Sequence, residues 1–296
     1  MEHQLEKLVH CPVCKKSVFE DYMSCVDHNM SNDVFHIVEC KNCKFKFTNP
    51  RPKEETIGKY YESKDYISHT SSKKGVFNSV YQVVRKYQFQ KKLSIINELI
   101  KKDAKSLLDV GCGTGEFVSF CNKKNWISKG VETDKKARNF AIRNNSCNVD
   151  DSLSTAIMNN ERFDVITLWH VLEHVYDLDG YLRKLKSLLK EGGYLILGLP
   201  NHQSYDAKYF GRSWFAYDLP IHVSHFGKND IETIVKKYNF TSLKTKPLIF
   251  DAFYIGMLSS KKSNNTVLRG LIIGLLSNIK AIKTKQYSSQ MYIIGS

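Results

Sequence analysis

Short, apolar-rich segments at residues 106–110, 127–131, 147–149, 163–168 and 194–199 alternate with segments whose apolar positions recur at helical spacing, at 116–125, 135–144 and 178–190. A strand that is apolar throughout is covered on both faces, and strands alternating with helices imply crossover units of a parallel sheet. The helix at 178–190 is expected to end on Gly192-Gly193 as a glycine cap. Further strand-like runs lie at 242–250 and 290–294, and a longer helical pattern covers 79–100. Ahead of it, Asn49-Pro50-Arg51-Pro52 marks a boundary, because two prolines exclude helix or central strand. An aromatic-rich stretch, 54–66, follows with Tyr60, Tyr61 and Tyr66.

The first apolar run breaks at Gly111-Cys112-Gly113-Thr114-Gly115, directly before a helical pattern. Glycines permit a sharp turn and close approach to a ligand, and the new helix offers unpaired N–H groups. Glu132 stands seventeen residues after Gly115, at the end of the second run, where an acid can accept both hydroxyls of a ribose. A dinucleotide fingerprint reads G-x-G-x-x-G, whereas this loop reads G-x-G-x-G with Asp109 just before it. A carboxylate there suits an ammonium or sulfonium ligand better than a diphosphate.

The block LDVGCGTG closely resembles motif I of the class I S-adenosylmethionine methyltransferases, and the resemblance covers about residues 100–257. It implies an α/β fold, a seven-stranded Rossmann-like sheet whose last two strands form an antiparallel hairpin. It further implies S-adenosylmethionine as cofactor, held by Asp109, Gly111, Gly113, Gly115, Glu132 and Thr133, with Asp151 or its neighbour Asp150 on the adenine. Trp169 and His170 are expected to line the same pocket, and the pre-core helices with their tyrosines to form a lid.

The fourth run continues into Trp169-His170-Val171-Leu172-Glu173-His174, which places His170, Glu173 and His174 on one face of a helical turn. H-x-x-E-H also matches a metalloprotease motif, but that motif needs a long helix and a distant third ligand. At the end of a buried strand the segment instead resembles motif IV of the ubiquinone-type O-methyltransferases. That likeness implies a divalent metal near Glu173/His174, although His170 stands where a further acid is expected. Downstream, an aromatic insert ends in YDLPIHVSHF, which resembles the D-x-P-R-H-x-x-H-F block of bacterial methyltransferases associated with glycan or lipid modification, with Ile221 replacing the arginine. An oxygen or carbon acceptor must lose a proton, and histidine is the side chain best matched to neutral pH. The candidates are His174 first, then His222, His170 and His225.

Near the N-terminus, Cys11-x-x-Cys14 and Cys40-x-x-Cys43 form two knuckles 25 residues apart. Four thiolates so paired suit structural zinc in a ribbon with strands at 35–39 and 45–48, while Cys25 and His28 are read as loop residues. The expected organisation is a zinc ribbon at 1–50, a helical linker or lid at 51–100, and a methyltransferase core at 101–296 with acceptor-cap inserts at 201–226 and 251–285.

The chain of 296 residues is 42% hydrophobic and 25% charged, the composition of an ordinary globular protein, and it opens with no secretory pattern. Its eight cysteines therefore read as metal ligands or free thiols, and the expected location is cytoplasmic. Residues 241–296 carry eight Lys or Arg against one Asp, half of the net charge of +14. Within them, the apolar and basic segment 265–285 can contact anionic lipid at the inner face of the membrane, cap the acceptor or form a dimer face. The functional reading is methyl transfer to a small-molecule, glycan or lipid-precursor acceptor, by O- or C-methylation. Two alternatives stay open: an RNA or protein methyltransferase that uses the ribbon and basic tail, and a non-catalytic scaffold. The fourth strand lacks the proline-rich motifs of base methylation, so nucleic acid is the less favoured partner.

Overall fold

The computed structural model describes residues 5–27, 30–61, 76–102 and 105–296. His28 and Tyr66 lie outside the described residues. Seven core strands form one sheet: Ser106–Val110, Ile127–Val131, Asn148–Asp150, Phe163–Trp169, Leu189–Pro200, Ser242–Pro247 and Ser289–Gly295. Numbered in chain order, they lie side by side as six, seven, five, four, one, two, three. The first five run parallel, and strand seven is antiparallel to both of its neighbours. The chain leaves strand one toward strands two and three, then returns to strand four on the other side. Carboxyl ends of strands one and four therefore open onto a crevice, the place where ligands bind in doubly wound sheets.

Burial follows the apolar runs. Residues 163–168 are buried without a break, and Leu107, Leu108, Ile166, Leu168 and Leu197 have no exposed surface. One expectation needs correcting: Gly192-Gly193 is not a helix cap. The helix stops at Ser187, and both glycines lie inside the fifth strand, Leu189–Pro200. Leu189 pairs with Phe163, and regular pairing resumes only at Tyr194 with Val165, so the chain makes a wide bulge between them. The backbone folds back tightly enough there that a Cβ on Gly193 would meet the Lys190 carbonyl at 2.9 Å.

A second, four-stranded sheet joins Phe19–Val26, Val34–Cys40 and Lys46–Thr48 to Ser224–His225 from the aromatic insert. Its first strand, FEDYMSCV, lacks a clean two-residue alternation and carries no sequence signal. Arg51–Pro52 pairs only with Leu5–Glu6, an edge position that tolerates proline. Cys11, Val13, Phe45 and Phe47 belong to the same buried cluster as the main-sheet residues Leu108, Ile166 and Leu197. Phe45 packs on Phe226 at 5.5 Å between ring centres. The insert 251–285 is an antiparallel pair of helices, Asp251–Lys262 and Val267–Thr284.

Candidate active site

The loop after strand one is built by three residues in the left-handed region: Gly111 at φ 70°, Gly113 at φ 54° and Gly115 at φ 75°. A Cβ on Gly111 would collide with Val171, and one on Gly115 would meet the Ala141 Cβ at 2.8 Å and the Cys147 Sγ at 3.0 Å. Nothing lies within 4 Å of a Cβ at Gly113, which faces the open crevice. We therefore expect Gly111→Ala and Gly115→Ala to lower the melting temperature clearly. Gly113→Ala, costing only about 1–2 kcal/mol of backbone strain, should act mainly on ligand affinity. Thermal denaturation beside calorimetric titration separates the two effects, and equal destabilisation by all three would contradict this division.

Glu132 closes the loop from strand two. Its carboxylate accepts the Gly113 N–H at 2.8 Å and the Asp134 N–H at 2.8 Å, which aims it at the loop's open side. Thr133 is exposed, and its carbonyl accepts a hydrogen bond from Arg138. Asp151 is exposed and accepts from Thr155, whereas Asp150 is engaged by Lys129. Asp109 lies underneath, 3% exposed, and accepts the Thr167 hydroxyl at 2.6 Å. Burial pushes its carboxyl up to about 7, against the Thr167 bond and the charge of Lys92. Lys92, from the helix Val76–Leu99, sets its ammonium 3.8 Å from the centre of the Trp169 ring. Burial pulls that lysine down to about 8, opposed by Asp251 and Asp109. The Trp169 indole N–H is buried with no hydrogen-bond partner.

At the end of strand four, His170 adopts φ 56° and is gripped by two carboxylates, Asp251 at 3.0 Å and Glu173 at 3.5 Å. Burial works against its charge, yet the bonds from Asp251 and Glu173 carry it up to about 10. Such an imidazolium cannot take up a proton, so this geometry does not suit His170 as a base. His225 lies in the short strand paired with Lys46–Phe47, its Nε2 3.2 Å from the Thr48 hydroxyl, a structural junction between sheets.

Glu173, His174 and His222 do come together, with one ligand atom from each within 4.8 Å of the others. The two imidazole rings meet edge to face at 4.7 Å. Nδ1 of His174 is 3.1 Å from the Ile221 carbonyl and 3.0 Å from the Tyr61 hydroxyl, and Nδ1 of His222 is 2.9 Å from the Ala216 carbonyl. A ring that donates through Nδ1 to a carbonyl keeps its Nε2 lone pair free, which assigns the tautomer of both. Burial holds both histidines below the ordinary imidazole value, so they stay neutral. Glu173 is 1% exposed, and beyond the ion pair with His170 at 3.5 Å its oxygens have no hydrogen-bond partner among the described residues. Beside it lies a void of about 10 Å³, lined by His202, His222, Ser224 and His225 among others, with room for one water or ion.

At the four-stranded sheet, the thiols of Cys11, Cys14, Cys40 and Cys43 converge, with Cys11–Cys43 at 3.6 Å and Cys14–Cys40 at 3.5 Å. Disulfides need about 2.05 Å, whereas sulfurs around a tetrahedral ion at about 2.3 Å sit about 3.8 Å apart. Cys25 is buried in the first strand of the four-stranded sheet, Phe19–Val26, in a different buried cluster from Cys11 and Cys40. The sequence missed Lys92 and Asp251 as site residues, because a lysine on a long helix and an acid opening an insert carry no motif.

The methyltransferase domain family matches residues 84–245, more than half of the chain. Ubiquinone biosynthesis O-methyltransferase of Pelagibacter ubique is 27% identical over 147 residues, 47% of this chain and 59% of that protein. The enzyme of the same name from Haemophilus ducreyi is 31% identical over 137 residues, 42% of this chain and 58% of that one. The chain thus matches somewhat over half the length of these curated relatives. Among solved structures, mycolic acid cyclopropane synthase CmaA1, complexed with SAH and CTAB, superposes with a TM-score of 0.50 at 15% identity, covering 72% of this chain and 85% of that one. That likeness establishes the same α/β fold. From that match over residues 84–245, the chain belongs to the methyltransferase domain family.

Proposed function

We propose that the chain transfers a methyl group from S-adenosylmethionine to the oxygen or carbon of a small-molecule, glycan or lipid-precursor acceptor. The observation that carries this reading is the Glu132-clamped glycine loop, whose Gly111 packs against Val171 at the start of the turn that carries Glu173 and His174, with His222 beside them. The names of the curated relatives support a small-molecule acceptor and O-methylation.

The cofactor supplies a methyl group on a sulfonium, already bonded to an excellent leaving group. The protein's task is to hold the acceptor in line, exclude water and remove a proton. Glu132 is positioned to hold a ribose, and Asp109 and Lys92 set the charge at the loop's floor. Neutral His174 and His222 each offer an Nε2 lone pair that can accept the acceptor's proton, and Glu173, already beside His170, stabilises the resulting imidazolium. Glu173, His174 and His222, each with one ligand atom within 4.8 Å of the others, would suit a divalent cation near Glu173/His174, which would lower the pKa of an acceptor hydroxyl. Zinc in the four-cysteine cluster would be structural, remote from the chemistry.

His174→Ala and His222→Ala should each bind S-adenosylmethionine within a few-fold of wild type. Formation of S-adenosylhomocysteine, with an acceptor found among catechols, nucleotide sugars or lipid-linked precursors, should fall about 100-fold or more. If both variants keep full turnover, the histidine-assisted mechanism is wrong.

A further inference from the structure

The helix Val267–Thr284 is built inside out. Gly270, Gly274, Ser277 and Ala281 face the protein, while Leu268, Ile272, Leu275, Ile279 and Ile282 point outward, from 49% exposed at Ile272 to 65% at Leu268. Their spacing of four, three, four, three keeps all five on one stripe of the helix. A helix in water buries such residues and exposes its small and polar ones; this one does the reverse. Its inner face is packed backbone to backbone: a Cβ on Gly270 would strike the Gly256 carbonyl, and one on Gly274 would meet the Ala252 carbonyl at 2.5 Å. Small residues at helix contacts with large apolar ones turned away are the packing found where lipid is the outer medium. Among the described residues no helix is long and apolar enough to cross a membrane.

Charge selects the occupant. After Asp251 the chain contains six Lys or Arg and no Asp or Glu. Lys283 and Lys285 close the outer helix, and Lys261 and Lys262 end its partner. A second copy laid against this stripe would bring two acid-free basic rims together, whereas an anionic bilayer surface neutralises them. We infer that the helical pair 251–285 docks the protein onto the headgroup region of an anionic membrane, with Leu268, Ile272, Leu275, Ile279 and Ile282 immersed and the lysines on phosphates. The inference is independent of methyl transfer, since it rests on this surface alone. The pair nonetheless begins at Asp251, whose carboxylate holds His170, so docking would set the crevice close to lipid-borne acceptors.

The test is co-sedimentation of the full chain with vesicles of phosphatidylcholine alone and with about one-third phosphatidylglycerol. Binding to the anionic vesicles should exceed binding to neutral ones by about tenfold or more, and weaken in about 0.5 M salt without vanishing, since the apolar contribution is not screened. The variant Ile272→Ser/Leu275→Ser/Ile279→Ser should lose this binding with its melting temperature unchanged, because these side chains are already solvent-exposed. Absent vesicle binding, or binding retained in the variant, would overturn the proposal. So would a wild-type dimer in solution that the variant converts to monomer, because the stripe would then be a self-association face.

Discussion

Replacing Glu132 with alanine should weaken S-adenosylmethionine binding by about 100-fold or more, measured by calorimetric titration. Two charge-assisted hydrogen bonds from ribose hydroxyls, at about 1.5–3 kcal/mol each, correspond to that loss or more. The same carboxylate receives the Gly113 and Asp134 N–H groups, which fix its orientation. Alanine would also strip those two amides of their acceptor and loosen the loop. Glu132→Gln separates the contributions, since its amide oxygen can still accept from a backbone N–H while the charge is gone. The glutamine variant should keep its melting temperature near wild type yet bind tenfold or more weakly, about 1.4 kcal/mol. Tight binding by folded Glu132→Ala would remove the cofactor reading from this crevice.

The second large effect concerns the four cysteines. Native mass spectrometry should find one zinc ion per chain, and Cys11→Ser or Cys40→Ser should abolish its retention. Small zinc modules draw about 10–16 kcal/mol from their metal. Here Phe45 and Phe47 are already buried against the main core, so a smaller loss, about 5 kcal/mol, is expected. At about 2–4 °C per kcal/mol, that corresponds to a melting temperature about 10–20 °C lower. Methyl transfer should fall with it, while cofactor affinity, set by loops on the far strands, should change little. A chelated protein that melts as before would reduce the cluster to four neighbouring thiols.

Much of this arrangement is written locally. The glycine loop, Glu132 and the alternation of buried strands and helices depend on residues close in sequence, and each left a mark in the hydrophobic pattern. What did not show depends on distant partners. Gly192-Gly193 looks like a helix cap until the bulge opposite Asp164 is visible. His170 looks like a base until Asp251, 81 residues later, comes within 3.0 Å. His222 shares its motif with His225, and only the fold brings His222 to Glu173 and His174. A spacing rule cannot report charge arriving from another element, and the contact with Asp251 is what sets His170 apart from the other three histidines.

The strand Ser224–His225 ties the two sheets through a very short stretch of chain. The Thr48 hydroxyl donates to the His222 carbonyl at 2.7 Å, and the Val223 N–H donates to the Glu173 carbonyl at 2.9 Å. One hand of this clasp is the cysteine-bearing sheet and the other is the end of core strand four, with His222 at the knot. Removing the N-terminal sheet would therefore leave the His222 carbonyl without its Thr48 donor and uncover Phe226, so damage to that sheet should reach the segment that carries His222.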